Sequence, residues 1–152
     1  MYNRNEMARV KQDFWTSFGK YMLPVQPAGD EKVNWVNYKT GMKGIFFKMN
    51  ADRSAASLSI QMTGDRLQRE KQFERMIQFR TEFESVVPGE WIWLKEKLDE
   101  NGRSISVIET TLSGVNVSDK NDWPAIISFL KSMITGLDEF WTSVKDFFEI
   151  DN

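Results

Sequence analysis

Apolar residues recur every three or four positions in three stretches of the chain, which is the spacing of helices with one buried face. The first stretch follows a capping-box pattern at Asn3 and Glu6, in which each residue can satisfy a backbone amide of the other. We therefore predict a first helix from about residue 4 to 22. The second stretch predicts one helix from Asp65 to Pro88, because proline cannot continue a helix.

The third helical stretch lies near the end of the chain. Asp122 is suited to cap its first turn, and the Trp-Pro pair at 123–124 fits the start of a helix, where proline is tolerated. The apolar spacing then continues to Phe148, which is long for a helix in a small domain. We therefore expect a kink or a break at the Thr-Gly pair at 135–136.

Shorter stretches between the helices have the composition of β-strands. They are residues 35–38, 44–49, 58–62, 90–98 and 103–112. The Asn-Gly pair at 101–102 favours a two-residue hairpin turn between the last two. The resulting order, α-βββ-α-ββ-α, predicts an α+β fold with a largely antiparallel sheet packed by helices. We expect a single domain over residues 1–152.

Composition narrows the chemistry that this chain can perform. Its 152 residues include no histidine and no cysteine, so it has no imidazole base, no thiol nucleophile and no thiolate metal site. A hydrophobic content of 41% and an aromatic content of 13% are typical of a folded domain. We therefore predict a non-catalytic binding or assembly module with no cofactor and no metal. Exposed aromatic surface on such a module is usually buried by association, which favours a protein partner or a homodimer.

No stretch approaches the eighteen apolar residues of a membrane span, and the N-terminus has no signal-peptide core. These features predict a cytoplasmic protein without a membrane role. Charge is distributed unevenly along the chain: residues 1–80 carry fourteen Lys and Arg against eight Asp and Glu, and residues 81–152 carry six against fourteen. The basic N-terminal half makes nucleic acid an alternative partner.

The predicted hairpin also fixes which side chains share a face. A two-residue loop would place Trp91, Trp93, Lys95 and Lys97 together on one face of the sheet. Indole rings can stack on bases while ammonium groups contact phosphates, so this strand is a candidate nucleic-acid-binding site. The alternative interpretation assigns both indoles to the core, since the strand is apolar on both sides, as a central strand covered by helices would be.

The same turn would bring two carboxylates together on the other face of the hairpin. Glu96 and Glu109 would lie diagonally, with their Cβ atoms about 7 Å apart. Such a pair could hold a cation or divide acid and base roles, which makes a carboxylate-based enzyme a third hypothesis. The competing interpretation is that both side chains lie on a solvent-exposed margin.

Several aromatic anchors and turns resemble those of a bacterial family called domain of unknown function 4268. They are Phe14-Trp15, the strand Trp91 to Leu94, Arg103-Ser104-Ile105 and Asp122-Trp123-Pro124 before a long helix. The likeness covers about residues 10–149. Members of that family often look like C-terminal modules that follow a nuclease-like domain, which implies a nucleic-acid or defence-related setting. The family provides no established catalytic residue to transfer to this chain.

Overall fold

The computed structural model describes residues 3–149. Their elements, in chain order, are α1 (Arg4–Met22), β1 (Ile45–Ala51), β2 (Ala55–Met62), α2 (Arg66–Gln78), α3 (Arg80–Val86), β3 (Ile92–Leu98), β4 (Ser104–Ser113), a short 3-10 turn (Lys120–Asp122) and α4 (Trp123–Glu149). The strands form one sheet in the order β1-β2-β4-β3, and every neighbouring pair is antiparallel. The predicted α+β class is confirmed.

Helices pack on one face of this sheet and bury the core there. The ring of Phe47 on β1 meets Trp141 of α4 edge-on at 5.7 Å, and the ring of Trp93 on β3 meets Phe83 of α3 edge-on at 5.5 Å. Helix α1 packs against α4 through Phe14, which is fully buried. The sheet therefore has a covered face towards the helices and, within residues 3–149, a second face over which no helix packs.

The predicted first helix and its cap are confirmed. The amide of Glu6 donates to Asn3 Oδ1 at 2.9 Å, and the amide of Asn3 donates to Glu6 Oε2 at 3.1 Å. The second predicted helix begins as expected at Asp65, which accepts from the Gln68 amide at 2.9 Å. It is, however, two helices, α2 and α3, because the backbone leaves helical geometry at Phe79, whose ring packs against the end of α4.

The predicted strand at residues 35–38 is wrong. The side chain of Asn34 accepts from the amides of Val36 and Asn37 at 3.1 Å each, so this segment is a turn. The loop that contains it runs from α1 to β1 and is fastened to α4. Trp141 Nε1 donates to the Thr40 carbonyl at 2.8 Å.

In the last helix, the predicted break is wrong, since α4 is continuous, whereas the kink at the Thr-Gly pair stays a prediction. Gly136 lies where α4 crosses the connection after α3, and a Cβ atom there would come within 2.8 Å of Pro88 Cδ. The glycine thus permits close packing and does not interrupt the helix. Asp122 precedes α4 as predicted, but its carboxylate accepts from the Asn116 amide at 2.9 Å.

Candidate functional site on the open face of the sheet

The β3–β4 hairpin closes with a longer loop than the sequence predicted. A type I′ turn requires positive φ at both central residues, but among the described residues only glycines have positive φ, so Asn101 does not, whereas Gly102 has φ 77°. Instead, the amide of Asp99 donates to the Arg103 carbonyl at 2.8 Å, which leaves three residues in the loop. Leu98 consequently pairs with Ser104, one residue away from the predicted register.

A β-bulge shifts the register again in the middle of β3. Leu94 pairs with Val107 but Lys97 pairs with Ile105, so two residues of β3 lie opposite Ser106 alone. Ser106 Oγ donates to the Lys95 carbonyl at 2.7 Å and holds the bulge. Since a bulge adds one residue to one strand, it reverses which face the following side chains occupy.

The bulge separates the four residues of the predicted aromatic and lysine site. Trp91 and Trp93 lie half-buried on the covered face, and the Arg80 guanidinium lies 4.7 Å from the centre of the Trp93 ring. Lys95 lies beside α2 on that same side. Lys97 lies on the opposite face, and its Nζ is 3.0 Å from Glu109 Oε1. The predicted common face of the four side chains is therefore wrong.

The predicted carboxylate pair is separated in the same way. Glu96 Oε1 lies 3.3 Å from Nη1 of Arg69 in α2, on the covered side. Glu109 binds Lys97 on the other face, so the two carboxylates do not share a face and each has a cationic partner. Their placement on one face is wrong because it assumed a two-residue turn and regular alternation. Across residues 3–149, no group of three or more Asp and Glu side chains is arranged to hold a metal ion.

The strand order corrects the interpretation of β3 as well. β3 is an edge strand and is not central, so its two apolar sides do not both meet helices. We name the uncovered side of the sheet the open face. From β1 to β3, one row across it consists of Phe46, Gln61, Val107 and Leu94, and the next consists of Lys48, Ser59, Glu109 and Ile92.

The open face has a buried apolar centre and exposed apolar edges. Val107 and Ile105 are only 1% and 4% exposed, although neither belongs to the core beneath the helices. Phe46 at the β1 edge is 47% exposed, and Ile92 at the β3 edge is 61% exposed. Apolar side chains thus lie at both edges and on β4, with the polar side of β2 between β1 and β4, and Phe46 and Ile92 at the edges meet solvent.

The open face has few charged residues, and they differ in whether they form an ion pair. Glu109 accepts both hydrogen bonds from Lys97 Nζ, at 3.0 and 3.1 Å. Lys48 forms no ion pair with any residue from 3 to 149, and its ammonium lies 5.6 Å from the centre of the Phe46 ring. Among the described residues, the open face therefore presents a cation without an ion pair on β1 and, on β4, a carboxylate that pairs with Lys97 of β3.

Sequence reasoning did not identify Phe46 and Lys48 as surface residues of a site. The run Ile45-Phe46-Phe47 is apolar on both sides of β1, so the sequence does not distinguish the side chain under α4 from the one facing solvent. A better signal is the alternation in β2, where Ser57, Ser59 and Gln61 mark one polar side. These residues lie on the open face.

A family model described as a domain of unknown function (DUF4268) matches residues 10–145, which is most of the chain. Among curated proteins and among solved structures, none matches the chain. Within residues 3–149, no helix is both long and apolar enough to cross a membrane.

Proposed function

The chain belongs to the DUF4268 family, and we propose that it is a non-catalytic binding module that assembles with a second copy of itself through the open face. The observation that carries this proposal is a sheet face that no described helix covers, with the apolar side chains of Phe46, Val107, Leu94 and Ile92 on three of its four strands. The bacterial and defence-related setting of the proposal rests on the family resemblance, and the cytoplasmic location rests on the sequence, which has no signal-peptide core at its N-terminus.

The register of the sheet makes the open face complementary to itself. A two-fold axis parallel to the strands, between β2 and β4, places β1 of one copy over β3 of the other. Each row then faces the same row of its partner. Phe46 faces Leu94 of the second copy, and the exposed edge residues cover each other.

The same two-fold rotation also brings opposite charges of the two copies close together. Lys48 comes to lie over Ile92 of the second copy, which is the cross-strand neighbour of Glu109. The Lys48 ammonium, which forms no ion pair among residues 3–149, would thus approach Glu109, the one carboxylate in its row, beside the existing contact with Lys97, and the symmetry would form this contact twice. Such charge complementarity supports a specific orientation of the two sheets.

The size of the open face is also adequate for an interface. Four strands of about seven residues cover roughly 20 by 25 Å. Two such faces have a combined footprint of about 1,000 Å², which is close to the lower bound for a specific protein–protein interface. Truncating an exposed aromatic near its edge should therefore weaken the association measurably.

Sedimentation velocity at tens of micromolar tests this proposal. We expect about twice the 17.8 kDa of one chain for the native protein and a monomer for Phe46→Ser. Phe147→Ser is the matched control, because Phe147 is also 47% exposed but lies at the end of α4, away from the sheet. A native monomer, or equal loss of the dimer in both variants, would contradict the proposal.

The nucleic-acid alternative has less support, because Trp93 is covered by Arg80 and Lys97 is paired on the other face. β2 from the basic half pairs with β4 from the acidic half, so the two halves also share one sheet. The alternative predicts oligonucleotide binding that weakens steeply as salt increases. If Lys97→Ala abolished such binding and the protein were monomeric, the result would favour the nucleic-acid alternative over assembly.

A further inference from the structure

A cavity lies away from the open face, between the end of α1 and the start of α4. Its volume is about 410 Å³, within the range of about 300–1,000 Å³ that is usual for small-molecule sites. We name it the aromatic-lysine cleft. Its lining includes Tyr21, Lys120, Trp123, Ile127, Ser128 and Lys131.

The apolar part of the cleft is rigid. Trp123 Nε1 donates to the Val117 carbonyl at 2.7 Å, and its ring meets Phe14 edge-on at 5.3 Å, so the indole cannot rotate away. Ile127 also lines the cleft and is 9% exposed. Tyr21 lines it from the end of α1 and is 61% exposed, which leaves its ring available to a ligand.

The polar side chains described in the lining of the cleft are all cationic or neutral. Among residues 3–149, no carboxylate lines it, and neither Lys120 nor Lys131 forms an ion pair. The Lys120 ammonium lies 5.6 Å from the centre of the Trp123 ring. The cleft follows one stripe of α4 from Pro124 to Lys131, which is about 10 Å long at 1.5 Å per residue. Lys131 therefore lies at the end of the cleft farthest from Pro124.

From this arrangement we infer that the aromatic-lysine cleft binds small aromatic anions, in which a flat ring carries a carboxylate, sulfonate or phosphate group. The ring would lie between Tyr21 and Trp123, and the anionic group would meet Lys120 or Lys131. Both nucleotides and aromatic acids have this chemistry. The inference is independent of the proposed assembly, because no residue of the cleft lies on the open face.

A pair of fluorescent probes tests the inference. The native protein should bind one equivalent of 8-anilinonaphthalene-1-sulfonate about tenfold more tightly than the neutral N-phenyl-1-naphthylamine, which has similar rings but no charge. The double variant Lys120→Ala/Lys131→Ala should abolish this preference. Lys43→Ala/Lys145→Ala is the control, because it removes the same charge from exposed positions outside the cleft.

Tyr21→Ala should weaken binding of both probes at least about fivefold, and its thermal unfolding should match that of the native protein because the side chain is exposed. Displacement of the sulfonate probe by AMP would assign the cleft to nucleotides, whereas displacement by 2-naphthoate and not by AMP would assign it to aromatic acids. Equal affinity for the two probes, an equal effect of both double variants, or displacement by neither competitor would overturn the inference.

Discussion

Replacing Asp138 with alanine is expected to lower the free energy of unfolding by about 3 kcal/mol, as is expected when a buried carboxylate that accepts two hydrogen bonds is removed. Asp138 is 2% exposed and holds the loop between α1 and β1 against α4. Its two oxygens accept from the Tyr38 hydroxyl at 2.5 Å and from the Ala28 amide at 2.8 Å. The variant leaves both donors without this acceptor. Urea unfolding at pH 7 measures the loss, and a loss below about 1 kcal/mol would contradict this role.

The variant Tyr38→Phe removes the donor of the same hydrogen bond. It also changes how the stability of the protein depends on pH. Burial, and then the hydrogen bond to Asp138 and the charge of Asp138, raise the pKa of Tyr38 well above its usual value. The unfolded chain releases that proton near pH 10, so the contribution to stability is complete below about pH 10 and declines as the pH rises further.

The native protein should therefore lose stability above about pH 10 more steeply than Tyr38→Phe, by up to about 1.4 kcal/mol per pH unit. The absorbance of tyrosinate near 295 nm provides an independent measurement. One tyrosine should resist ionisation until the protein unfolds, and this resistant component should be absent from Tyr38→Phe but present in Tyr21→Phe. Its persistence in Tyr38→Phe would show that the assignment to Tyr38 is wrong.

Gly136→Ala is expected to lower the free energy of unfolding by about 1–2 kcal/mol, although alanine is the better helix former. The new Cβ would lie 2.8 Å from Pro88 Cδ, 3.3 Å from Val87 Cα and 3.4 Å from the Val86 carbonyl oxygen. These atoms belong to a proline ring and to backbone, so they cannot move aside as the end of a flexible side chain can.

Gly19→Ala is the matched control for this substitution, because Gly19 is also within a helix. Its nearest neighbour to a new Cβ is Val36 Cγ2 at 3.6 Å, an ordinary contact. We expect this variant to gain about 0.5–1 kcal/mol from helix propensity alone. Thermal unfolding of the two variants should shift in opposite directions, and equal shifts would refute the packing explanation for Gly136.

The starts of α1, α2 and α4 were predictable because their signals are local, and they led to the correct fold class. The capping contacts at Asn3 and Asp65 depend on residues three positions apart, and the apolar spacing of α4 spans many turns. The prediction of a strand at 35–38 was wrong because the Asn34 side chain accepts hydrogen bonds from the backbone and forms a turn. The break predicted at Gly136 failed because the need for a small residue there comes from a distant segment.

The candidate site was less predictable because it depends on register. The Asn-Gly pair at 101–102 predicted the hairpin correctly, but the loop length follows from the Asp99 side chain, which accepts from the amides of Asn101 and Arg103. The bulge opposite Ser106 then reversed the face of Lys97. The edge position of β3 depends on its pairing with β4 alone, which no local pattern encodes.

The most direct test of assembly through the open face is the mass of two charge-reversal variants, measured by sedimentation separately and after mixing. Lys48→Glu should be monomeric, because the new carboxylate at position 48 would meet Glu109 of a second copy, and Glu109→Lys should be monomeric for the converse reason. When the two variants are mixed, they form two opposite-charge contacts and should recover the dimer mass. A mixture that stays monomeric while the native protein is a dimer, or single variants that remain dimers, would contradict the account.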